Sequence, residues 1–379
     1  MKWEKVKLGD ICKYVTSGGT PKSSIKEYYE PKQIPWLKTK EVNYCRIYET
    51  ESYISKDGLD NSSAKMIPQN SVIVAMYGQG DTAGRVAINK IPLTTNQACC
   101  NLIIDETKAY YEFVYYQLVT LYEKMVSLKN GGAQPNLNAA IIKSIEIKLP
   151  PLKTQRYIAD ILSSYDNLIE NNQKQIKLLE EAAQRLYKEW FVDLRFPGHE
   201  NTKIVDGVPE GWSRGLLKEL ISVNYGKDHK KAPDDGNIPV YGSGGLMRKC
   251  NKSLFSGEAV LIPRKGSLNN IMYVDETFWT VDTMFYATMK QPHTAVFVYF
   301  FVKAFDMYSM NIGAAVPSMT TKILDAMDVV IPDKETLEKF DKYAKVYFNK
   351  IKTLQGQNER LKTARDLLLP KLMSGEVEV

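Results

Sequence analysis

The sequence contains a long internal repeat, and this repeat restricts what the chain can fold into more than any other feature. The segment that begins at Pro135 resembles the segment that begins at Pro317, and this offset of 182 residues then holds without a gap for more than fifty positions. Three earlier pairs of segments match with gaps: residues 3–11 with 212–220, "IPW" at Ile34 with "IPV" at Ile238, and "SVIVAMYGQG" at Ser71 with "EAVLIPRKG" at Glu258. A repeat much longer than the roughly 20 to 50 residues of a solenoid unit indicates a duplicated domain.

Each copy ends in a segment with the pattern of one long helix. Residues 154–191 contain no glycine or proline and follow Pro150 and Pro151. Their apolar positions are spaced alternately three and four residues apart, with one additional spacing of four residues. This pattern is typical of a coiled coil with a stutter. We call these positions the seam; they are Ile158, Ile161, Tyr165, Leu168, Asn172, Ile176, Leu179, Ala183, Leu186 and Trp190, and, in a second helix that begins near Thr336, Phe340, Tyr343, Tyr347, Leu354, Asn358, Leu361, Leu368 and Leu372. A helix of ~55 Å with one apolar seam needs a partner, so the two helices are predicted to form a rod.

The segments in front of these helices are predicted to be globular and of the α+β class. Apolar or β-branched runs bounded by turn signals predict strands at "SVIVAMY", "GRVAI", "EAVLIP", "IMYV" and "FWTVDTMFYATM". Residues 110–128 and 294–310 have the length and periodicity of helices. The predicted domains are two related globular segments, residues 1–150 and 197–332, and two spacer helices, residues 151–196 and 333–379.

The composition is that of an ordinary globular protein. The 379 residues are 44% hydrophobic and 25% charged, which excludes collagen-like and disordered chains. No uninterrupted apolar stretch approaches the ~20 residues of a membrane helix, and residues 1–10 are charged rather than signal-like, so we expect a cytoplasmic protein.

Cysteine and histidine are poorly placed for a metal site. None of the five cysteines forms a CxxC pair, Cys99 and Cys100 lie in the apolar run "ACCNLII", and the three histidines are scattered. We therefore expect reduced core thiols rather than a disulfide framework or zinc site, and no bound metal or cofactor.

Basic residues cluster in the second half of a chain whose net charge is +6. The clusters are "KDHKKAP", "LMRKCNK" and "PRKGSLNN". Solvated loops and nucleic-acid contacts both explain such clusters.

The sequence lacks the usual marks of catalysis on DNA. It has no GxxxxGK[ST] phosphate loop and no Asn-Pro-Pro-aromatic tetrad of the kind that amino-methyltransferases use. "PDDG" and "PDK" begin like a metal nuclease site but lack a following strand with Glu-x-Lys, and the glycine stretches "YGQGDTAG" and "YGSGG" need only turn chemistry. Two related non-catalytic units on a spacer suit the reading of two separated DNA sequences, as in dimeric repressors.

Five motifs occur in a characteristic order along the chain: "TSGGTPKSS", "IPWLKTKEV", "GGAQPNLN", "LPPLKTQRYIADILSSYDNLIENNQKQI" and "GVPEGW". Over its whole length the chain thereby resembles the specificity subunit of type I restriction-modification systems. The second junction, "IPDKETLEKFDKY", departs from the pattern because it lacks the second proline and the glutamine of the first.

The resemblance implies a division of labour between this chain and its partners. The two globular segments would be target recognition domains that each read one part of a split double-stranded DNA sequence. The helices would form an antiparallel spacer and dock two modification subunits, which hold S-adenosylmethionine and methylate adenine. A motor-nuclease restriction subunit would join the complex, and this chain would carry no catalysis.

Two other functions compete with this interpretation. A stand-alone methyltransferase or nuclease would bind S-adenosylmethionine or cut DNA without partners. A coiled-coil protein that bridges other proteins without DNA would show no salt-dependent DNA binding, whereas phosphate contacts give a slope of roughly −0.9 per contact.

Candidate base-reading residues are polar side chains in loops that flank strands. In the first globular segment they are Thr20, Lys22, Lys38, Lys40, Tyr77, Gln79 and Arg85, together with Gln134, Asn136 and Asn138, for which satisfying a helix end is an equal alternative. In the second they are Lys227, His229, Lys230, Tyr241, Ser243, Arg248, Arg264, Lys265, Ser267, Asn269 and Asn270. Tyr241 has packing as its alternative, and Arg264 and Lys265 have phosphate contact or plain solvation.

The repeat also predicts a register for antiparallel helices. If Lys174 and its equivalent Gly356 mark the midpoints, position 172 faces position 358, and both are asparagine. A buried amide pair is a known means of fixing helix register. The alternative is that both asparagines point to solvent.

Overall fold

The computed structural model describes residues 3–129, 136–310 and 318–377. The chain divides into two compact units. The first unit contains residues 1–171 and 357–379, and the second contains residues 172–356. Each unit therefore includes a part of both long helices, whereas the predicted domain limits set the helices apart.

The first unit combines short strands and helices. Its strands are β1 (Glu4–Lys7), β2 (Cys12–Ser17), β3 (Ile34–Leu37), β4 (Cys45–Ile47), β5 (Tyr53–Ile54), β6 (Val72–Ala75), β7 (Val86–Asn89), β8 (Thr94–Thr95), β9 (Cys99–Ile104) and β10 (Glu146–Leu149). Its short helices are α1 (Lys56–Asp60), α2 (Tyr111–Thr120), α3 (Tyr122–Ser127) and α4 (Ala139–Ser144), and α5 (Leu152–Tyr187) begins here. The sheets have the orders β2-β9-β6-β7-β4, β5-β3-β8 and β1-β10.

The second unit has the same mixture. Its strands are β11 (Ile204–Val205), β12 (Val208–Pro209), β13 (Ser213–Leu216), β14 (Ile221–Tyr225), β15 (Ile238–Gly242), β16 (Gly245–Cys250), β17 (Phe255–Pro263), β18 (Met272–Thr280), β19 (Met284–Met289) and β20 (Asp328–Ile331). Its helices are α6 (Ala295–Lys303), α7 (Thr321–Asp325) and the first part of α8 (Lys334–Ser374), and α5 ends here in a π-helical turn, Lys188–Val192. The sheets have the orders β14-β19-β17-β18-β15-β16, β13-β20 and β11-β12. The α+β prediction is confirmed.

The backbone confirms the repeat in detail. In the first unit β1 pairs antiparallel with β10, and Glu4 lies opposite Leu149. In the second unit β13 pairs antiparallel with β20, and Ser213 lies opposite Ile331. Leu149 and Ile331 are related by the offset of 182, so the two small sheets are equivalent residue by residue.

Three predicted elements were too long. The run "FWTVDTMFYATM" is divided between the end of β18 and β19 by a turn in which the Met284 N–H donates to the Val281 carbonyl at 3.0 Å. The predicted helix 110–128 breaks between α2 and α3, and the predicted helix 294–310 ends at Lys303. Beyond Lys303 the Met307 N–H donates to Asn269 Oδ1 at 2.8 Å, and such side-chain acceptors compete with helical hydrogen bonds.

The long helices run antiparallel within each unit. In the first unit Arg365 Nη1 lies 2.5 Å from Asp166 Oδ1, where the predicted register places position 166 opposite 364. In the second unit the rings of Trp190 and Phe340 are 5.8 Å apart, and the predicted register places position 190 opposite 340. Each unit by itself thus agrees with the predicted register to within one residue.

The predicted seam was wrong at two positions. Leu168 and Tyr343 are 51% and 56% exposed, while their neighbours Ile169 and Ala344 are buried. For Leu168 the reason is a second neighbour of α5: the prediction assumed one partner, but within the first unit α2 contacts α5 as well, because the Tyr116 hydroxyl donates to Asp166 Oδ2 at 2.5 Å.

The two seam asparagines are both buried. Asn172 and Asn358 are each 6% exposed, so the solvent-facing alternative is wrong. Their mutual pairing stays a prediction.

Candidate nucleic-acid interface

A pair of adjacent loops occurs at the same place in both units. In the first unit the loop after β6 meets the segment in front of α4, where the Leu137 N–H donates to the Met76 carbonyl at 3.0 Å. In the second unit the loop after β17 meets the segment in front of α7, where the Met319 N–H donates to the Arg264 carbonyl at 2.9 Å. Leu137 and Met319 are 182 positions apart, so these hydrogen bonds are equivalent. We call this arrangement the loop pair.

The second loop of each pair ends in a helix cap. Asn138 Oδ1 accepts the Ile141 N–H at 2.9 Å, and Thr320 Oγ1 accepts the Ile323 N–H at 3.4 Å. Of the two roles predicted for Asn138, the structure thus shows the helix cap. Asn136 is half-buried, its role stays a prediction, and Gln134 lies outside the described residues.

The first loop of the first unit carries Tyr77, Gln79 and Arg85. Tyr77 is half-buried against the core, and burial raises the pKa of its hydroxyl. Gln79 is exposed, and its carbonyl accepts the Thr82 hydroxyl at 2.6 Å. The Arg85 guanidinium pairs with Asp81 and donates to Asn43 Oδ1 at 3.0 Å. Gln79 is therefore the most accessible of the three predicted readers.

Close backbone approach explains the glycine pair in "TSGGTPKSS". The Gly19 N–H donates to the Thr95 carbonyl at 2.8 Å, and a Cβ at Gly18 would lie 2.2 Å from that same oxygen. Only glycine fits there without displacing the backbone. The anchored turn leaves Lys22 exposed, while the Thr20 hydroxyl donates to Gln97.

Lys38 and Lys40 follow β3 and already have local partners. The Lys38 ammonium lies 5.0 Å from the centre of the Trp36 ring, within cation–π range. Lys40 is exposed and pairs with Glu51. An exposed pair of this kind is weak, so Lys40 can exchange its partner for a phosphate at little cost.

The first loop of the second unit is the basic segment "PRKGSLNN". Lys265 and Ser267 are exposed, and the Arg264 guanidinium lies 5.5 Å from the ring centre of Tyr225. Asn270 Nδ2 donates to the Ser243 carbonyl at 2.9 Å, which places the predicted residues Ser243 and Asn270 together.

Asn269 is engaged at both ends of its amide. Its Nδ2 donates to Asp306 Oδ1 at 3.0 Å, and its Oδ1 accepts the Met307 N–H. Its side chain thus anchors the loop, and base reading by this residue stays a prediction that these bonds disfavour.

Arg248 holds a second basic loop, residues 227–235. Its guanidinium pairs with Asp234 and donates to the carbonyls of His229 and Ala232, the latter at 2.7 Å. An arginine with this many partners is a clamp for the loop. The clamp leaves the side chains of Lys227 and Lys230 exposed and that of His229 half-buried.

Tyr241 has the packing role that was its alternative. It is half-buried in β15, and its hydroxyl donates to Glu276 Oε1. Burial, followed by this hydrogen bond, raises the pKa of the hydroxyl. Nothing in the structure assigns Tyr241 to base reading.

Two exposed tyrosines beside the second-unit loops were not predicted. Tyr225 lies under Arg264, and the Tyr308 hydroxyl donates to the Gly266 carbonyl at 3.1 Å. Tyr225 stands in "VNYGKDHK", directly before a basic cluster, and this position was the available signal. Tyr308 had none, because its contact depends on the turn after α6.

The described residues carry no sign of a metal site or a membrane span. Among residues 3–129, 136–310 and 318–377, no three side chains of His, Cys, Asp and Glu converge on a possible metal position. Over the same residues, no helix combines the length and apolarity that crossing a membrane requires. All five cysteines are free thiols; Cys99, Cys100 and Cys250 are buried, and Cys12 and Cys45 are half-buried.

Comparisons with known proteins agree over almost the whole chain. The family model described as type I restriction modification DNA specificity domain matches residues 1–181 and 209–363. The chain is 28% identical to the specificity subunit of the type I restriction enzyme MjaIX of Methanocaldococcus jannaschii, over 100% of this chain and 94% of that protein. It is 22% identical to the HindI specificity subunit of Haemophilus influenzae, over 99% of each chain.

A solved structure shares the fold. The S subunit of the type I restriction-modification system from M. genitalium matches with a TM-score of 0.63 and 19% identity, over 98% of this chain and 96% of that one. With two matches to the family model that together cover both copies of the repeat, the chain belongs to the family of type I restriction-modification DNA specificity subunits.

Proposed function

We propose that this chain reads a split DNA sequence, with one unit reading each half. The loop pair supports the proposal, because it occurs in both units on equivalent main-chain hydrogen bonds. Its side chains differ: Tyr77 and Gln79 in the first unit stand where Lys265 and Ser267 stand in the second. Equal scaffolds with different side chains suit two different short sequences, since side chains read the base edges.

The exposed basic residues would position the DNA. Lys22 in the first unit and Lys227 and Lys230 in the second extend from anchored loops. Lysine at such places serves phosphate contacts, which fix the register of the protein without reading the sequence.

The proposal extends to the partners. The two long helices dock two methyltransferase subunits, which bind S-adenosylmethionine and methylate adenine, and a motor-nuclease subunit completes the restricting complex. The relatives support this because they are named as subunits of type I restriction enzymes. In this arrangement the chain itself is non-catalytic, acts in the cytoplasm, and uses residues 1–150 and 197–332 as recognition domains separated by spacer helices.

The test begins with the complex of this chain and its methyltransferase subunit. The adenines that it methylates across a genome define the target, and the proposal requires two short sequences separated by unread base pairs. Replacing both Arg264 and Lys265 with alanine should then weaken DNA binding by about 1–3 kcal/mol for each lost base contact and change the preference at one half only. Equal changes at both halves would show that the assignment of one unit to each half is wrong.

Two controls separate this proposal from its alternatives. Lys203→Ala removes an exposed lysine of the second unit outside the loop pair and should leave the preference unchanged. Partner-free protein should neither methylate nor cut DNA, and turnover by such a sample would make the chain an enzyme. A DNA affinity without salt dependence would favour the bridging function.

A further inference from the structure

Arg264 and Tyr225 of the second unit form a stack that the fold holds in place. The Arg264 guanidinium lies over the Tyr225 ring, 5.5 Å from its centre. The same ring meets the buried ring of Phe285 edge-on, with 5.1 Å between the ring centres. The main chain of Arg264 is held as well, because its N–H donates to the Thr283 carbonyl at 2.8 Å and its carbonyl accepts the Met319 N–H. Both ends of the arginine are thus fixed, and the stack orients the planar guanidinium.

Most of the five N–H donors of this guanidinium are available to a ligand. Its Nη1 donates to the Asp282 carbonyl over a long distance of 3.3 Å. No carboxylate in the described parts of the chain forms an ion pair with Arg264. Arg85 and Arg248, by contrast, each pair with an aspartate. Arg264 is therefore oriented by the protein without being neutralised by it.

The charges beside the stack favour a base edge over a phosphate as this ligand. Lys265 is exposed and can bind a phosphate without a fixed geometry. Asp282 is also exposed and brings a carboxylate to the turn beside Arg264, where it repels a phosphate. A planar arginine fork matches the two acceptors that guanine presents in the major groove, O6 and N7.

We propose that Arg264 reads one guanine in the half-site of the second unit, and that Tyr225 positions the guanidinium for this contact. The inference rests on the proposed function and adds to it the base and the positioning residue. An arginine that must meet two acceptors at once loses less conformational freedom on binding when a ring already holds it. Tyr225 acts through Arg264.

The first unit carries different residues at the equivalent place. Met76 corresponds to Arg264, since their carbonyls accept equivalent hydrogen bonds in the loop pair. The sheet registers show that Ser17 corresponds to Tyr225: neighbouring strands align Ser17, Cys100 and Val74 in the first unit as they align Tyr225, Phe285 and Ile262 in the second. A buried methionine and a serine cannot form this stack. The two half-sites are therefore expected to differ at this base.

The test uses the full chain with its methyltransferase subunits and duplexes that carry the target defined by genome methylation. Each guanine of the target is replaced in turn by 7-deazaguanine, which keeps base pairing but lacks the N7 acceptor. One guanine should be sensitive, with a loss of affinity of about three- to tenfold. Arg264→Ala should itself weaken binding about tenfold or more, and in this variant the same replacement should have no further effect.

The role of Tyr225 is tested at the same base. Tyr225→Leu removes the ring and should weaken binding to the target about three- to tenfold and reduce the effect of 7-deazaguanine. Tyr225→Phe keeps the ring and should behave as wild type. Tyr14→Leu, which changes an exposed tyrosine on β2 of the first unit, is the matched control and should alter neither quantity. Arg264→Lys keeps the charge but not the fork, so it should lose the guanine preference.

The outcomes that overturn the proposal are distinguishable. A wild-type complex that is insensitive to 7-deazaguanine at every guanine rejects the reading of guanine and leaves the proposed function standing, and this measurement does not depend on the folding of any variant. If Arg264→Ala weakens all duplexes equally and lowers the salt slope by about 0.9, while Arg264→Lys binds as wild type does, Arg264 is a phosphate contact.

Two further results would also reject it. An intact guanine preference in a folded Tyr225→Leu variant excludes the positioning role of Tyr225. A wild-type complex that binds all DNA sequences equally removes the proposed function itself, and the reading of guanine with it.

Discussion

The two units join their helices to the preceding segment with different side chains. At the first junction Gln155, inside the first turn of α5, is 1% exposed. Its Nε2 donates to the Pro150 carbonyl at 2.7 Å, and its Oε1 accepts the Tyr110 N–H at 2.8 Å. The repeat places Leu337 at the position of Gln155, so the second junction cannot use this contact.

The second junction uses a carboxylate instead. Asp333 precedes α8, its Oδ1 accepts the Thr336 N–H at 2.9 Å, and its Oδ2 accepts the Trp212 indole N–H at 2.9 Å. The missing glutamine and proline of the second copy have therefore been replaced by a helix cap. The backbone at the two junctions is thus similar in both copies, but the polar side chains that hold each junction differ.

The buried ions beside the helices also differ, in the sign of the central charge. In the first unit the centre is the cation Arg46, whose side chain is 5% exposed and lies 2.5 Å from Asn167 Oδ1 and 3.6 Å from a Glu170 oxygen. In the second it is the anion Asp341, whose side chain is 3% exposed and lies 2.8 Å from both His293 Nδ1 and Lys345 Nζ.

The largest effect is expected from Arg46→Ala. The change removes the cation beside Glu170, whereas the buried Glu112 keeps Lys90 at 2.9 Å. Breaking a buried ion pair on one side costs about 3–5 kcal/mol, and we expect the lower end of that range here because Glu112 keeps this partner. Urea unfolding followed by tryptophan fluorescence measures the free energy of unfolding. Arg185→Ala, an exposed arginine on α5, is the control and should stay within about 0.5 kcal/mol of wild type.

Asp341→Ala provides the comparison within the second unit. It should cost less, about 1.5–3 kcal/mol, because Lys345 keeps Glu258 at 3.1 Å and the partly exposed His293 can turn to water. A loss as large as that of Arg46→Ala would show that the two centres are energetically equal despite their different surroundings.

Gln155→Ala is expected to have an effect similar in size to that of Asp341→Ala. It leaves a buried carbonyl at Pro150 and a half-buried N–H at Tyr110 without the amide, and we expect a loss of about 2–3 kcal/mol in the free energy of unfolding. Because the amide does not titrate, this loss should be the same at pH 7 and pH 4. A loss that depends on pH would contradict this explanation of the first junction.

The smallest effect, about 1 kcal/mol, is expected from Asp333→Ala, since the residue is a half-buried cap. Burial raises the pKa of Asp333, but the hydrogen bonds from Thr336 and Trp212 outweigh it and hold the pKa below its ordinary value. The stabilisation is therefore complete above the ordinary carboxyl pKa of about 3.9 and is lost as the pH falls through the lowered pKa of the folded state. Unfolding measured from pH 7 to pH 2 checks this.

Asp333→Asn is the matched control for the acid dependence. The amide oxygen still caps the helix, so most of the stability at pH 7 should remain while the dependence on acid pH becomes smaller. An unchanged acid dependence would assign it to other carboxylates.

The repeat and the helices could be predicted because they depend on periodicity along the chain. The contact between Trp190 and Phe340 is an example. The offset of 182 residues and the antiparallel register of the two helices together assign one partner to each position. The helix ends were harder, because tertiary contacts decide them: the turn after α6 is held by Asn269, more than thirty residues away in sequence.

The contacts of the candidate side chains could not be predicted from the sequence. The sequence placed these polar residues in loops, yet it could not distinguish Lys265, which is exposed, from Arg248, which closes a loop. Both are basic residues beside strands. The carbonyl groups of His229 and Ala232 that occupy Arg248 carry no sequence signature, since every residue has one.

The main-chain hydrogen bonds that hold the loop pair together have an evolutionary consequence. In both units the first loop is held by its own carbonyl, that of Met76 or Arg264, and a carbonyl is present whatever the side chain is. Residues 79, 265 and 267 can therefore mutate without loss of these bonds. Under the proposed function, we therefore expect the sequence preference of each unit to change quickly while the fold is retained, so that new pairs of half-sites arise by few substitutions.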